Sequence, residues 1–251
     1  MTGVGSTEPA RSAGAGLAGT GATGVGSTEP AKSAGAGADL WSGRADAYRE
    51  SATHASGDDL DLVVAWCEPA PGVTVLDVAT GGGHVARRLR EAGATVVTLD
   101  PAPGMRADTT APAEDMPFAD GSFDAVACRI AAHHFADVLA AVKEMARVAR
   151  HRVVVCDNTF VSESSEEADR LRDPSHVRNY SALEWHSFFE LAGLEVADER
   201  DFRRETDFEP WLERVGCAGE DAARVRALLG DRVVDGRLAL PTVVMKGVKS
   251  S

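Results

Sequence analysis

Two hydrophobic periods alternate along the chain after residue 41. Short apolar runs bounded by turn residues predict strands over Val73–Val78, Ala94–Leu99, Asp124–Ile130, Arg152–Asp157, Leu194–Phe202 and Leu238–Val248. Segments with helical spacing predict helices over 41–55, 58–68, Gly83–Ala92, about 135–149, Ser181–Ala192, 208–216 and 219–229. Because strands and helices alternate, we expect an α/β fold with a doubly wound, mostly parallel sheet. Such a sheet binds ligands at the C-terminal ends of its strands.

Two of the predicted helices have additional signals. The helix over 135–149 has one apolar face, made by Val138, Val142, Met145 and Ala149. The helix that follows Ser181 has Glu184 in the capping-box position, and Gly193 marks its end.

The first forty residues have a different texture. The segment TGVGSTEPARSAGAG at 2–16 recurs at 23–37, with Arg11 and Lys32 as the single difference. It consists mainly of small and polar residues without apolar periodicity, so it cannot bury enough apolar surface to offset its ordering entropy. We therefore expect residues 1–40 to be a disordered, duplicated tail and 41–251 to form the domain.

Composition and charge narrow the function classes. Apolar residues make up 44% of the chain and charged residues 26%, which is typical of a soluble globular protein. A net charge of −13 disfavours nucleic acid and anionic membranes as partners. No apolar run reaches the roughly 18 residues of a membrane span, and no secretory signal is evident, so we expect a cytoplasmic protein. The four dispersed cysteines predict buried thiols and no metal site. Either a monomer or a homodimer is compatible with the sequence.

The most informative stretch is VLDVATGGGHVARRLREAGATVVTLD at 75–100, which predicts strand, glycine-rich turn, helix and strand. Gly81 and Gly83 allow a tight turn that a ligand can approach closely, and Ala86 allows close helix packing. Asp100 follows Gly81 by 19 residues and ends the next strand, where a carboxylate can accept hydrogen bonds from ribose hydroxyls.

Asp77 decides between two ligands that use such a turn. In a dinucleotide site the loop amides receive a pyrophosphate, which a carboxylate at the preceding strand end would repel. The methionine part of S-adenosylmethionine carries an ammonium and no phosphate, so Asp77 favours this methyl donor and disfavours NAD. The alternative is a structural turn in which Asp77 only caps the helix.

A family resemblance rests on several motifs. DVATGGGH at 77–84 and AEDMPFADGSFDAVACRIAAHHF at 113–135, together with ADAYRESATHASGDDL and LRDPSHVRNYSALEW, resemble the class I S-adenosylmethionine-dependent methyltransferases. Over about residues 41–248 the chain is most similar to the small-molecule branch that includes the ubiquinone and menaquinone C-methyltransferases. The resemblance implies a Rossmann-like, seven-stranded sheet with an antiparallel C-terminal strand, and S-adenosylmethionine as cofactor.

The resemblance also implies the donor contacts. The methionine portion is expected at Asp77, Ala79, Gly81 and Gly83, and the ribose at Asp100. The adenine is expected beside Pro101, Met105, Ala113 and Glu114. The backbone of Arg129 is expected near the ammonium and sulfonium. A closing N-terminal segment is expected to contribute Tyr48, Ser51 and His54.

The chain departs from the family pattern in two places. Only 16 residues, DPAPGMRADTTAPAED, lie where the family has a helix and an edge strand, and prolines break regular structure there. We therefore predict that this helix and strand are shortened or missing. Pro112 replaces an acidic residue that contacts the adenine amino group, so adenine is expected to bind more weakly or differently. The strand RVVVCD lacks the usual preceding Pro-Gly-Gly, which predicts a tighter turn.

Candidates for the chemistry follow from the reaction. Methyl transfer is an in-line displacement that needs positioning and, for an OH, NH or acidic CH acceptor, a base. His133, His134 and His176 are the candidate bases, although helix capping, packing or a surface loop would also explain them. Polar residues that could line the acceptor pocket are Asp157, Asn158, Arg172 and Arg178. Segments 41–68 and 158–185 are expected to cover the substrate.

Three functions are weighed on these residues. The first is methyl transfer to a small molecule. The second is a protein of the same fold that binds the donor or its product but catalyses a non-methylating reaction or none. The third is an NAD-dependent oxidoreductase, which Asp77 disfavours. Neither a GxSxG elbow nor a GxxxxGK[ST] loop occurs in the sequence.

Overall fold

A computed structural model describes residues 40–49 and 55–250. Its centre is a seven-stranded sheet in the order β2-β1-β3-β4-β7-β5, with β6 paired to β7. The strands are β1 Thr74–Val78, β2 Thr95–Leu99, β3 Phe123–Arg129, β4 Ala149–Asn158, β5 Leu194–Asp207, β6 Val233–Val234 and β7 Arg237–Lys249. Among the strands described, only β7 runs against the others. The expected mostly parallel sheet with an antiparallel C-terminal strand is confirmed.

The helices cover both faces of this sheet. They are α1 Ala45–Arg49, α2 Asp58–Trp66, α3 His84–Glu91, α4 Val138–Val148, α5 Glu163–Arg172, α6 Ala182–Leu191, α7 Phe208–Glu213 and α8 Gly219–Leu229. Short 3-10 turns occur at Pro103–Met105, Ala132–His134 and Gly230–Arg232. No helix in the described ranges combines the length and apolarity needed to cross a membrane. The duplicated tail, apart from Leu40, lies outside the described residues, as do Ser51 and His54.

Alternating strand residues build two core layers. Leu76 and Val126 belong to the layer under α4 and α6, whereas Val75 and Ala125 belong to the layer under α2 and α3. The predicted apolar face of α4 is buried throughout. The capping box of α6 is present with both reciprocal hydrogen bonds.

Sequence patterns missed α5 and the end of β5. Helix α5 begins after Ser162, whose hydroxyl accepts a hydrogen bond from the Ser165 amide. Its sequence ESSEEADRLR has almost no apolar stripe, so period alone did not predict it. Strand β5 was predicted to end at Phe202 but continues to Asp207, because the whole segment pairs with β7 in a long hairpin. Helices α7 and α8 share a small core with α5 and β7, which contains Phe208 and Trp211.

The short segment after Asp100 is confirmed. In place of a helix and an edge strand, it contains the 3-10 turn Pro103–Met105 and a single bridge between Leu99 and Thr109. Asp108 closes this edge by accepting hydrogen bonds from the amide and hydroxyl of Thr98, at 2.9 and 2.8 Å. The tighter turn before RVVVCD is also found, because α4 ends at Val148 and β4 begins at the next residue.

Candidate active site

A cavity of about 930 Å³ opens at the C-terminal ends of the parallel strands. This volume lies near the upper end of the roughly 300–1,000 Å³ typical of ligand sites. Most of the residues predicted for the site line it, namely Tyr48, Asp77, Ala79, Gly81, Asp100, Pro101, Met105, Ala113, Glu114, Arg129, His133, His134 and His176. The structure therefore brings the expected donor and base residues to one cavity.

The glycine turn links β1 to α3 through left-handed backbone. Ala79, Gly81 and Gly83 have φ values of 53°, 52° and 76°. Glycine adopts such values without the steric cost that a Cβ brings. Gly83 is the N-cap of α3 and is not among the residues that line the cavity. Gly83 turns the chain into the helix, and its contact with the methionine portion stays a prediction.

Asp77 is buried at the end of β1. Its Oδ2 accepts hydrogen bonds from the Thr80 hydroxyl at 2.6 Å and from the Ala86 amide at 3.1 Å. Burial nevertheless raises the pKa of Asp77 to about 6. The bond to Ala86 shows that Asp77 does cap α3. Because Asp77 also lines the cavity, the capping and ligand-binding interpretations are compatible.

Asp100 lies beside the same turn. It accepts hydrogen bonds from the Gly81 amide at 3.0 Å and from the Ala102 amide at 2.9 Å. Burial raises its pKa as well. The Gly81 amide thus points to a carboxylate, where a dinucleotide site would offer it to a pyrophosphate. Two buried carboxylates make this end of the cavity suitable for a cationic ligand.

The N-terminal segment 40–49 lies directly on the glycine turn. His84 Nε2 is 3.0 Å from the Tyr48 carbonyl oxygen, and the Gly104 amide donates to Ser42 Oγ at 3.0 Å. A Cβ on Gly82 would lie 2.5 Å from that Tyr48 oxygen, so only glycine allows this approach. Leu40, Trp41 and Tyr48 of this segment line one wall of the cavity.

His133 and Asp157 form a buried pair. Asp157, on β4, accepts from the His133 backbone amide at 2.8 Å and lies 2.6 Å from the ring Nδ1. Burial alone would lower the pKa of His133, but the Asp157 carboxylate outweighs it and raises the pKa above its ordinary value. With Nδ1 bound to the carboxylate, Nε2 is the ring nitrogen left to exchange a proton.

Two further imidazoles adjoin this pair. The ring centroid of His134 lies 4.1 Å from that of His133 and 4.7 Å from the Trp41 ring. Burial, followed by the charge of His133, lowers the pKa of His134 well below its ordinary value. His176 Nε2 lies 3.0 Å from a Glu166 oxygen. The pKa of His133 is thus raised and that of His134 lowered, although the two rings are neighbours.

Comparison with known proteins identifies the family. A methyltransferase-domain family model matches residues 76–156. The YcgJ methyltransferase of Bacillus subtilis is 32% identical over 202 residues, which cover 72% of this chain and 80% of that protein. The chain belongs to the class I S-adenosylmethionine-dependent methyltransferases. A crystal structure of YcgJ matches with a TM-score of 0.70 and 26% identity over 77% of this chain and 98% of that chain.

A second relative is similar over a shorter region. The demethylmenaquinone methyltransferase of Mycolicibacterium paratuberculosis is 39% identical over 97 residues, which cover 35% of this chain and 42% of that protein. The shared region is therefore limited to part of each chain.

The residues of this methyltransferase fit S-adenosylmethionine. The glycine turn is compact, and its Gly81 amide already donates a hydrogen bond to Asp100. Asp77 contributes a second carboxylate to the cavity wall. The ammonium of the donor would compensate the charge of Asp77 and its ribose hydroxyls could donate to Asp100, whereas a pyrophosphate would add negative charge beside both carboxylates. Pro112, which stands at a position where the family resemblance leads one to expect an acidic residue, also lines the cavity.

Several cavity residues of the methyltransferase were not predicted. They are Trp41 in the N-terminal segment, Arg204 and Thr206 on β5, and Trp211 and Arg214 in and after α7. Strand alternation could have placed Arg204 and Thr206 on one face, but only with β5 extended beyond its predicted end. Of the two predicted arginines, Arg172 lines the cavity, whereas Arg178 is exposed and pairs with Glu184 at 2.7 Å.

One group of side chains has the composition of a cation site. Glu166, Asp169 and His176 each offer an atom within 4.8 Å of the others. However, Glu166 already accepts from Asn179 Nδ2 at 2.9 Å in addition to facing His176. These bonds favour a structural role, in which Glu166 fixes the loop that carries His176.

Proposed function

We propose that this methyltransferase acts on a small molecule that loses a proton from oxygen, nitrogen or an acidic carbon, with His133 as the base. One observation carries the proposal: His133, whose Nδ1 is held by the buried Asp157 carboxylate, lines the same cavity as the glycine turn. A base beside the donor site is what such an acceptor needs.

The pair has a defined protonation chemistry. Asp157 accepts the Nδ1–H of the neutral imidazole, which leaves the lone pair on Nε2. After proton transfer, the same carboxylate stabilises the imidazolium, as the raised pKa of His133 indicates. S-adenosylmethionine, when bound, supplies a methyl group on a sulfonium and leaves as S-adenosylhomocysteine. His134, whose pKa is lowered, is the weaker base of the two.

Each part of the donor has proposed partners. Asp77 would hold the ammonium beside Ala79 and Gly81, and Asp100 would hold the ribose hydroxyls. Pro101, Met105, Ala113 and Glu114 would border the adenine, and the backbone of Arg129 would lie near the sulfonium. Tyr48 would contribute from the N-terminal wall. Ser51 and His54, which lie outside the described residues, are proposed as further donor contacts.

Two segments are proposed to cover the acceptor. Trp41 and Tyr48 line the cavity from the N-terminal side, and His176 lines it from the loop after α5. Arg44 joins the two sides, because its guanidinium lies 3.4 Å from Asp173 and donates to the Val215 carbonyl at 2.8 Å. A covered cavity excludes water that would compete for the reactive groups. His176 is proposed as a contact to the acceptor and not as the base.

The remaining predictions about partners come from the sequence. The net charge of −13 supports a protein without a nucleic-acid partner. A cytoplasmic location and a monomeric or homodimeric state stay predictions.

A turnover assay tests the proposed function. The protein is incubated with S-adenosylmethionine and a panel of phenols, quinones and amines, and S-adenosylhomocysteine and methylated products are quantified by mass spectrometry. We expect turnover on at least one class, and His133→Gln should lower kcat by about 10²–10⁴-fold without changing donor affinity. His134→Gln is the matched control and should change kcat less.

Two outcomes would contradict the proposal, and each contradicts a different part of it. Donor binding without S-adenosylhomocysteine on any acceptor would support the non-methylating alternative. A His133→Gln variant with the kcat of the wild type would exclude His133 as the base.

A further inference from the structure

We infer that the acceptor carries an oxyanion, a carboxylate or a phosphate, which Arg172 and Arg204 bind. This inference rests on the proposed function, because it names the class of molecule that the same cavity accepts.

Charge is segregated along the cavity wall. Near the glycine turn, the lining acids are Asp77 and Asp100. The wall built by α5, β5 and α7 instead contributes Arg172, Arg204 and Arg214. Asp173, which also lines the cavity next to Arg172, is already paired with Arg44 and with the Ser175 hydroxyl. The chain as a whole has a net charge of −13, so this basic wall is opposite in sign to the average surface. One end of the cavity therefore suits a cation and the other an anion.

Arg172 has donors available for a ligand. Its Nε donates to the Trp211 carbonyl at 3.0 Å, and its guanidinium lies 4.0 Å from the centroid of the Trp211 ring. Within residues 40–49 and 55–250, its two Nη atoms make no hydrogen bond. Stacking on the indole fixes the plane of the guanidinium, and the two terminal nitrogens form a fork that matches an oxyanion.

The positive charge of Arg204 is only partly compensated by its acidic neighbour, Asp59. Its Nε lies 3.8 Å from Asp59 Oδ2, which is too long for a hydrogen bond. That oxygen already accepts from Arg129 Nε at 2.8 Å, so one carboxylate serves two guanidinium groups. Among the described residues, the Arg204 guanidinium has no hydrogen-bond partner.

The few contacts of these two guanidinium groups favour an anionic ligand. Burial lowers the pKa of both Arg172 and Arg204, which reflects the loss of hydration around each charge. A buried charge is tolerated when a partner compensates it. Because both arginines line the cavity, an oxyanion bound there would compensate their charges. The contacts to Trp211 and Asp59 leave most of these N–H donors unused.

The probes are matched in shape. Benzoate and phenyl phosphate are titrated by NMR into the protein saturated with S-adenosylhomocysteine, with benzamide as the neutral counterpart of benzoate. The two anions distinguish a carboxylate from a phosphate preference. The variants are Arg172→Gln and Arg204→Gln, and the control is Arg178→Gln, because Arg178 is exposed and pairs with Glu184.

The wild type should bind at least one anion about tenfold or more tightly than benzamide. The reason is that a hydrogen bond to a charged group stabilises a complex more than a hydrogen bond between neutral groups does. Each cavity variant should reduce this preference by about tenfold, and Arg178→Gln should leave it unchanged. Melting curves verify that the variants are folded, and if one of the two is unfolded, the other decides.

Two results would overturn the inference: equal binding of anions and benzamide to the wild type, or an unchanged preference in a folded cavity variant. Absence of anion binding at millimolar concentration would do so as well. S-adenosylhomocysteine binding is measured first and separately. If S-adenosylhomocysteine does not bind, the donor site of the proposed function is contradicted. The anion titration of the donor-free protein then still tests whether Arg172 and Arg204 bind an oxyanion.

Discussion

At the scale of single residues, Asp77 and Asp100 combine local structure with binding. Each carboxylate accepts hydrogen bonds from backbone amides of its own neighbourhood and also lines the cavity. Their positions were predictable from sequence, because a strand end before a glycine turn and the end of the next strand meet at one edge of a parallel sheet. The pairing of His133 with Asp157 was not, since it needs two adjacent strands in register.

Replacing Asp77 by Asn should stabilise the donor-free protein and weaken donor binding. The folded-state pKa of about 6 exceeds the ordinary value of 3.8, so the fold disfavours the ionised form. Stability from this group is therefore present below about pH 4 and is lost as pH rises through about 6, to a limit of roughly 3 kcal/mol. The Asn carbonyl can still accept from Ala86. Thermal melts should show a larger gain at pH of about 8 than at about 5. A lower melting temperature at both would contradict this account.

The pH dependence of kcat should report His133. Only its neutral form accepts a proton, and its pKa is raised above 6.5, so kcat should increase with pH through an apparent pKa above that value. Asp157→Asn should move this limb to lower pH and reduce the plateau, because the compensating charge is removed. His134→Gln serves as the control and should leave the limb in place. A limb that is the same in Asp157→Asn and the wild type would exclude the pair.

At the scale of elements, the parts that hold the donor were more predictable than the parts that surround the acceptor. The strand–turn–helix–strand unit has a local signature, and so does the proline-rich segment that replaces the edge strand. Helix α5 and the end of β5 lack one, because their polar sequences are held by tertiary contacts. Arg204 lies in the unpredicted end of β5, which is why its place in the cavity wall was not foreseen.

Adding a methyl group at Gly82 should displace the N-terminal segment. A Cβ there would lie 2.5 Å from the Tyr48 carbonyl oxygen, a backbone atom that cannot move alone. Gly82→Ala should therefore raise the KM for the donor and speed its dissociation while the sheet remains folded. Gly43→Ala is the matched control, because a Cβ at Gly43 meets nothing within 4 Å. Equal effects of the two variants would show that the segment does not close the donor site.

At the scale of the whole molecule, the fold places two kinds of charge at two ends of one cavity. The sheet order brings Asp77 and Asp100 to neighbouring strand ends, and the hairpin of β5 with β7 carries Arg204 to the other wall. The overall acidic composition predicted the absence of a nucleic-acid partner but could not reveal a basic wall inside the cavity. That wall depends on distant residues, which no local pattern connects.

Calorimetric titration tests the central claim most directly. S-adenosylhomocysteine and NAD are titrated separately into the wild-type protein, because the two share ribose and adenine but differ in the charge that meets Asp77. We predict that S-adenosylhomocysteine binds with one molecule per chain and that NAD neither binds nor displaces it. Binding of NAD at the same site, or no binding of S-adenosylhomocysteine, would contradict the assignment of this cavity to the methyl donor.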